Sequence, residues 1–132
     1  MLKREPNALF VFGDNLQRKG LGGQAKEMRG EPNAVGIPTK RSPGMEPQDF
    51  LYECDLAEWC HAVDLNMSRL IHWQELIVWP TAGIGTGLAQ LHQHAPSISR
   101  ELDIFKTILI TEPFDFSRIS RFYAESNCYD LY

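Results

Sequence analysis

The sequence predicts an α/β fold, in which an open sheet of strands alternates with helices. Apolar runs typical of buried strands occur at residues 8–12, 33–38 and 76–80, and segments with helical spacing lie between them. Glycine-rich segments at residues 20–23 and 83–87 come after the first and third runs. In open α/β sheets, ligands bind outside the carboxyl ends of the strands, so these segments indicate a binding cleft.

The elements are predicted in chain order. Residues 8–12 form a strand that ends at Gly13, and residues 24–29 form a short helix followed by Gly30. A second strand, residues 33–38, ends at its proline. An apolar stripe at spacings of three, four and seven predicts a helix from about residue 47 to residue 70, with one break near residues 64–66.

The second half follows the same alternation. After the strand at residues 76–80, a short helix is predicted at residues 96–102 and a further strand at residues 105–110. Residues 113–132 carry Phe114, Phe116, Ile119, Phe122 and Tyr123, which predicts a last helix. We therefore expect one domain over residues 1–132, with residues 113–132 as a C-terminal extension packed on the core.

Composition and charge limit the function classes. The chain has 132 residues and three cysteines without a CxxC pair, and it shows no signal-peptide pattern and no run that could span a bilayer. A cytoplasmic protein without membrane contact is expected. A net charge of −4 argues against general nucleic-acid binding. Residues 13–41 hold six basic and three acidic residues, a net +3, so the rest carries −7.

This local positive charge suits a small anionic ligand. The alternative interpretation is a chance arrangement of surface charges that has no ligand. Glycine lets backbone NH groups approach phosphate oxygens closely, and a helix start adds the positive end of its dipole. A flexible turn is the alternative for each glycine segment. No Walker A motif and no regular GxGxxG is present. His92 and His94 diverge on a helix, so no metal and no cofactor is expected.

Lys40 is the candidate nucleophile. It follows the second strand, at the edge where both glycine segments are expected, and it lies beside Arg41. An uncharged lysine amine can attack a carbonyl carbon. The alternative is that Lys40 and Arg41 are solvated loop charges that only contact phosphate.

Four segments in order resemble the macro domain family: Asp14-Asn15, Gly20–Ala25, Ile37–Lys40 and Pro80–Leu88. The nearest branch contains terminal ADP-ribose–protein glycohydrolases and ADP-ribose 1″-phosphate phosphatases. The resemblance covers roughly residues 8–110. It implies a macro-like three-layer fold with a central, mostly parallel mixed sheet and helices on both faces.

The resemblance also implies a partner, an ADP-ribose-like nucleotide that is free or attached to an ADP-ribosylated macromolecule. The first glycine segment and the helix start would hold the distal ribose and its phosphate. The second glycine segment would wrap the diphosphate with backbone NH groups. The ligand-binding residues implied are Asn15, Gly22, Gly23, Gln24, Thr39, Thr81, Gly83, Ile84, Gly85, Thr86, Gly87 and Leu88.

In the glycohydrolase branch, a lysine at the place of Lys40 attacks the ribose C1″, assisted by an aspartate directly after the Gly-x-Gly-Leu segment. Here Ala89 has that place, and Asp14 is the substitute carboxylate in a nearby loop. Three hypotheses follow. The protein is a lysine-dependent ADP-ribosyl hydrolase that uses Lys40 and Asp14, a non-catalytic reader or sponge of an ADP-ribose-type nucleotide, or a structural accessory protein with a vestigial pocket.

Overall fold

The computed structural model of the protein describes residues 5–20, 25–80 and 83–111. Within these ranges, three strands form one sheet, β1 (Leu9–Asn15), β2 (Ala34–Lys40) and β3 (Ile77–Val78). β1 is central and pairs in parallel with both neighbours. The predicted α/β class is confirmed. The third strand is shorter than the predicted residues 76–80.

Four α-helices lie in the described part of the chain: α1 (Ala25–Met28), α2 (Leu56–Ile71), α3 (Leu91–His94) and α4 (Pro96–Thr111). Two short 3-10 turns, Pro47–Asp49 and Glu53–Asp55, precede α2. The single helix predicted from residue 47 is therefore wrong at its start. Phe50 and Leu51 are buried between the two turns in non-helical backbone, and α2 then runs without a break through residues 64–66.

The strand predicted at residues 105–110 is also wrong, because α4 continues to Thr111. The dense apolar run from Phe105 to Ile110 has the composition of a strand, but its burial has the helical period. Phe105 and Leu109 are buried four residues apart, whereas Ile104 and Ile108 are exposed. The predicted short helix at residues 96–102 is the first half of α4.

The hydrophobic core covers both faces of the sheet, because alternate side chains of β1 point to opposite sides. Leu9 and Val11 belong to a cluster that includes residues of α2, α3 and α4. Phe10 and Phe12 belong to a second cluster with Met28 of α1. This two-sided burial is typical of a parallel sheet and leaves the carboxyl ends of its strands as the edge where a ligand can enter.

Some sequence predictions fall outside the described residues. These are the C-terminal extension at residues 113–132 and four ligand-binding candidates, Gly22, Gly23, Gln24 and Thr81. No helix in the described ranges is long and apolar enough to cross a membrane.

Candidate functional site

A cleft of about 500 Å³ lies at the carboxyl ends of β1 and β2, beside the loop after β3. The described parts of both glycine segments border it. Ten predicted site residues line this cleft together: Asp14, Asn15, Thr39, Lys40, Gly83, Ile84, Gly85, Thr86, Gly87 and Leu88. Further lining residues for which the sequence predicts no role include Lys19, Arg29, Ser42 and Gly44.

A bulge at the end of β2 shapes one wall of the cleft. Asp14 pairs with Pro38 and Asn15 pairs with Lys40, so Thr39 is the extra residue between them. Neighbouring residues of a regular strand face opposite sides, and a bulge redirects them. Thr39 and Lys40 can therefore both line the cleft. The Thr39 hydroxyl donates a hydrogen bond to the carbonyl oxygen of Asp14, at 3.3 Å.

Asp14 is a buried carboxylate held by two arginines. Arg29 Nη2 lies 2.6 Å from Asp14 Oδ1, and Arg18 Nη1 lies 3.1 Å from Oδ2. The backbone NH of Asn15 also donates to Oδ1, at 2.8 Å. Because both oxygens are engaged, the carboxylate positions these arginines in the fold. The predicted base is therefore a carboxylate that already forms two ion pairs.

The same arginines tie the β1–α1 loop to the rest of the site. Arg29 Nε donates to the carbonyl oxygen of Gly20 at 2.8 Å, and Arg29 Nη2 donates to that of Lys19 at 3.0 Å. The side-chain amide of Asn15 also donates to Lys19 O, at 2.8 Å. Arg18 reaches the other way, to the carbonyl oxygen of Gly36 on β2. The amide of Asn15, predicted to face a ligand, therefore braces the loop backbone.

Lys40 extends into the cleft on the opposite wall. Its Nζ donates to the carbonyl oxygen of Gly44, lies 3.8 Å from the Met45 sulfur, and lies 5.2 Å from the centre of the Phe50 ring. The carbonyl oxygen and the aromatic ring hold the end of the Lys40 side chain at this wall of the cleft. The geometry therefore suits Lys40 for attracting an anion.

Arg41, the other cation at this strand end, turns away from the cleft. Its guanidinium pairs with Asp55 and Glu58, each at 2.8 Å, near the start of α2. The hydrogen bond with Glu58, followed by the attraction of Asp55, raises the pKa of Arg41 above its usual range. Arg41 thus fixes the loop after β2 to α2, and the sequence had grouped it with Lys40 only because the two are adjacent.

The second glycine segment packs on β2 through Gly85. Gly85 has a φ of +75°, and a Cβ there would lie 3.0 Å from Leu91 Cβ and 3.1 Å from Thr39 Cγ2. Packing alone therefore requires glycine at this position. Gly87 differs, because a Cβ there would have no atom within 4 Å. Gly87 is the position where a substitution tests the cleft without disturbing the core.

The backbone of this segment offers hydrogen-bond donors. The NH groups of Gly83, Gln90 and Leu91 bond to carbonyl oxygens of Pro80, Gly87 and Gly85. Within residues 5–20, 25–80 and 83–111, the NH groups of Gly85, Gly87 and Leu88 have no such acceptor. Ala89, at the place where the resembling branch has an aspartate, lines the cleft beside them.

Charge at the cleft is predominantly positive. Lys19, Arg29 and Lys40 line it, against the single carboxylate of Asp14 among the described lining residues. The excess of basic residues between positions 13 and 41 was the signal for this in the sequence. This excess of basic residues does not predict which of them line the cleft and which form ion pairs in other parts of the molecule. In the described ranges, no group of three or more His, Cys, Asp or Glu side chains could hold a metal ion.

Comparisons with curated proteins and with solved structures give no match. One family matches most of the chain, residues 1–104, and its range includes every described residue of the cleft. The chain therefore belongs to this family, which is described as a family of unknown function (DUF7831).

Proposed function

We propose that this protein binds ADP-ribose, or a nucleotide or adduct that contains it, in the cleft at the carboxyl ends of β1 and β2. One observation carries the proposal. Gly20 of the first glycine-rich segment and residues 83–87 of the second border one cleft with a positive excess of charge. A ligand with negative charge and a polar, extended shape complements such a surface.

The three cations supply the first part of the recognition. Lys19, Arg29 and Lys40 come from the β1–α1 loop, the residue after α1 and the end of β2, so they approach the cleft from different elements. Arg29 is held in place by Asp14. A guanidinium that is already oriented loses little side-chain freedom when an anion arrives.

The second part is the backbone of residues 83–88. Donors at Gly85, Gly87 and Leu88 are available to ligand oxygens, and Gly87 has no Cβ to keep a phosphate away. Backbone NH groups in a glycine-rich loop are common phosphate ligands in proteins. A diphosphate placed here would also face the amine of Lys40.

Binding without cleavage is the form of the function that the geometry favours. Lys40 Nζ donates to Gly44 O, which engages the amine that a nucleophilic mechanism needs. Asp14 is paired with Arg18 and Arg29, and Ala89 supplies no carboxylate. The hydrolase hypothesis requires a general base, and Asp14, which already pairs with two arginines, is the single carboxylate among the described lining residues.

Calorimetric titration of the 132-residue chain with ADP-ribose tests the proposal. Gly87→Asp adds a carboxylate to the cleft at a position without steric conflict, and we expect it to weaken binding at least tenfold. Gly87→Asn is the matched control, since it has nearly the same shape without the charge. It should retain most of the affinity.

Titrations with ADP and with inorganic phosphate locate the part of the ligand that is recognised. Binding of ADP-ribose that both Gly87 variants leave unchanged would contradict the location of the diphosphate. Absence of ADP-ribose binding by the folded wild-type protein would contradict the proposed function.

A further inference from the structure

A second surface of the molecule is apolar and lies away from the cleft. A groove of about 240 Å³ runs between α2 and α4, and we call it the α2–α4 groove. Its apolar lining comes from both helices: Trp59, Val63, Met67, Ile104, Phe105 and Ile108. Ile104 is 47% exposed and Ile108 is 40% exposed, one turn apart on α4. These two side chains are therefore only partly buried by the rest of the molecule.

The end of α4 lies next to this groove. Thr111, the last residue of α4, follows Ile108 by three residues, which is about 5 Å along the helix axis. Pro113 comes two residues later in the sequence, and a proline disfavours helical dihedral angles in the residue before it. The chain beyond Thr111 therefore starts beside the groove. The proline disfavours a continuation of α4 in the same direction.

The following sequence has an apolar pattern that matches the groove. Phe116, Ile119 and Tyr123 recur at spacings of three and four, which place them on one side of a helix. As a helix, residues 116–124 would be about 13 Å long. The lining from Glu101 to Ile108 spans about 10 Å of α4, so the two lengths are compatible.

Charge complementarity supports the same occupant. Asp64 of α2 and Glu101 of α4 border the groove, and both residues are exposed. Residues 116–124 contain two basic residues, Arg118 and Arg121, and no acidic residue. Basic groups that flank an apolar stripe suit an apolar groove with acidic borders.

We propose that residues 113–124 of this chain dock along the α2–α4 groove. The apolar side of the segment covers Ile104 and Ile108, and its arginines face Asp64 and Glu101. This docking extends the helical layer formed by α2 and α4. It is independent of the nucleotide proposed for the cleft, because the two sites share no lining residue.

Disulfide trapping in the 132-residue chain tests the docking. Cys60 lines the groove and Cys54 does not, yet both are exposed, so the native chain supplies its own matched pair. In a Cys128→Ser background, Ser120→Cys places one thiol in the segment. After mild oxidation at low protein concentration, peptide mapping should show that this thiol bonds to Cys60 within one chain, at least tenfold in excess over Cys54.

Comparable bonding to Cys54 and Cys60 would overturn the proposal. So would a Cys60 disulfide that forms only between two chains, because the occupant of the groove would then be a second copy.

A double-mutant cycle gives a second measurement without cysteines. Ile104→Ser and Ile119→Ser should each lower Tm, and the double variant should lose less than the two shifts combined, because the side chains are in contact. Leu65→Ser is the control, since Leu65 is 82% exposed on α2 and lies outside the groove. Additive shifts for Ile104 and Ile119 would overturn the docking.

Discussion

Asp14 connects the fold to the candidate site at the level of single residues. Its side chain is only 3% exposed, and it reaches Arg18 and Arg29 from the end of the central strand. The space for this carboxylate comes from Gly36 on β2. A Cβ at Gly36 would lie 2.6 Å from Asp14 Oδ2 and 2.8 Å from Phe12 Cζ. The absence of a side chain at Gly36 therefore leaves the room that Asp14 needs to form its two ion pairs.

Gly36→Ala is expected to destabilise the protein by about 1–3 kcal/mol, because the added methyl group overpacks a rigid strand pair. Urea denaturation followed by circular dichroism measures the change in the free energy of unfolding. Gly87→Ala is the control, since no atom lies within 4 Å of that Cβ. Its effect should stay within about 0.5 kcal/mol. Equal midpoints for Gly36→Ala and wild type would contradict this account of the Asp14 pocket.

The residue types in the cleft could be predicted from the sequence, but their partners could not. Asp14, Lys40 and the glycines stand at strand ends, which is a local property of the sequence. The pairing of Asp14 with Arg29 joins positions 15 residues apart in the chain, and the sequence pattern does not predict such a contact. For the same reason, Arg41 was grouped with Lys40, although it pairs with α2.

At the level of elements, the loop from Arg41 to Asp49 holds the partner of Lys40. The Asp49 carbonyl oxygen accepts hydrogen bonds from the NH groups of Arg41 and Ser42, at 2.9 and 3.3 Å. The Asp49 carboxylate accepts hydrogen bonds from the Ser42 hydroxyl and from the Glu46 NH. This closed loop carries Gly44, whose carbonyl oxygen accepts from Lys40 Nζ.

The Ser42 hydrogen bond, and then that from Glu46 NH, holds the pKa of Asp49 below its ordinary value of 3.8. A depressed carboxyl pKa contributes stability that is present above the unfolded pKa and is lost as the pH falls through the folded value. The loop should therefore stay closed above pH 3.8 and loosen only below it. An NMR titration of the Asp49 carboxyl should give a midpoint below 3.8.

Ser42→Ala removes the largest cause of this shift, so the midpoint for Asp49 should rise toward 3.8. Glu53 is an internal comparison. Its pKa is lowered mainly by the hydrogen bond from the Ser97 hydroxyl, and Ser42→Ala should leave it unchanged. A Ser42→Ala protein with an unaltered Asp49 midpoint would show that the hydroxyl does not hold the carboxylate.

The boundaries of the strands and helices show which sequence signals are sufficient to predict an element. The strands β1 and β2 were predicted because each is a short apolar run that ends at polar or proline residues. Residues 105–110 have the same composition, but they continue the helical spacing that begins at Ile98. A window of six residues cannot separate a buried strand from one face of a helix, whereas the spacing over 16 residues can.

At the scale of the whole molecule, the cleft follows from the topology. The parallel order β2-β1-β3 places the carboxyl ends of all three strands at one edge of the sheet, where Gly20 and residues 83–87 border the cleft. The general position of the cleft could therefore be predicted from the sequence. Its dimensions depend on the bulge at Thr39 and on the arginines around Asp14, which are tertiary features.

The last prediction separates binding from hydrolysis. We expect wild-type protein to bind ADP-ribose and to release none from an ADP-ribosylated protein, because the Asp14 carboxylate is paired with Arg18 and Arg29 and Ala89 supplies no carboxylate. Lys40→Ala should then weaken binding by about 1.5–3 kcal/mol, the net contribution of one charge-assisted hydrogen bond. Lys40→Arg, which keeps the charge, should retain more of the affinity. Calorimetry measures both variants.

Ala89→Asp examines whether the site is a decayed hydrolase, since it places a carboxylate in the cleft where the resembling branch has one. The Ala89→Asp variant is also combined with Lys40→Ala in the same chain. If Ala89→Asp alone releases ADP-ribose and the double variant does not, the missing base is what prevents turnover in the wild-type protein. Rapid release by the wild-type protein would contradict the binding role. If Lys40→Ala preserved that release, Lys40 would not be the nucleophile. Asp14→Asn would then be the next variant to assay. Its free energy of unfolding would be measured as well, because Asp14 also holds Arg18 and Arg29.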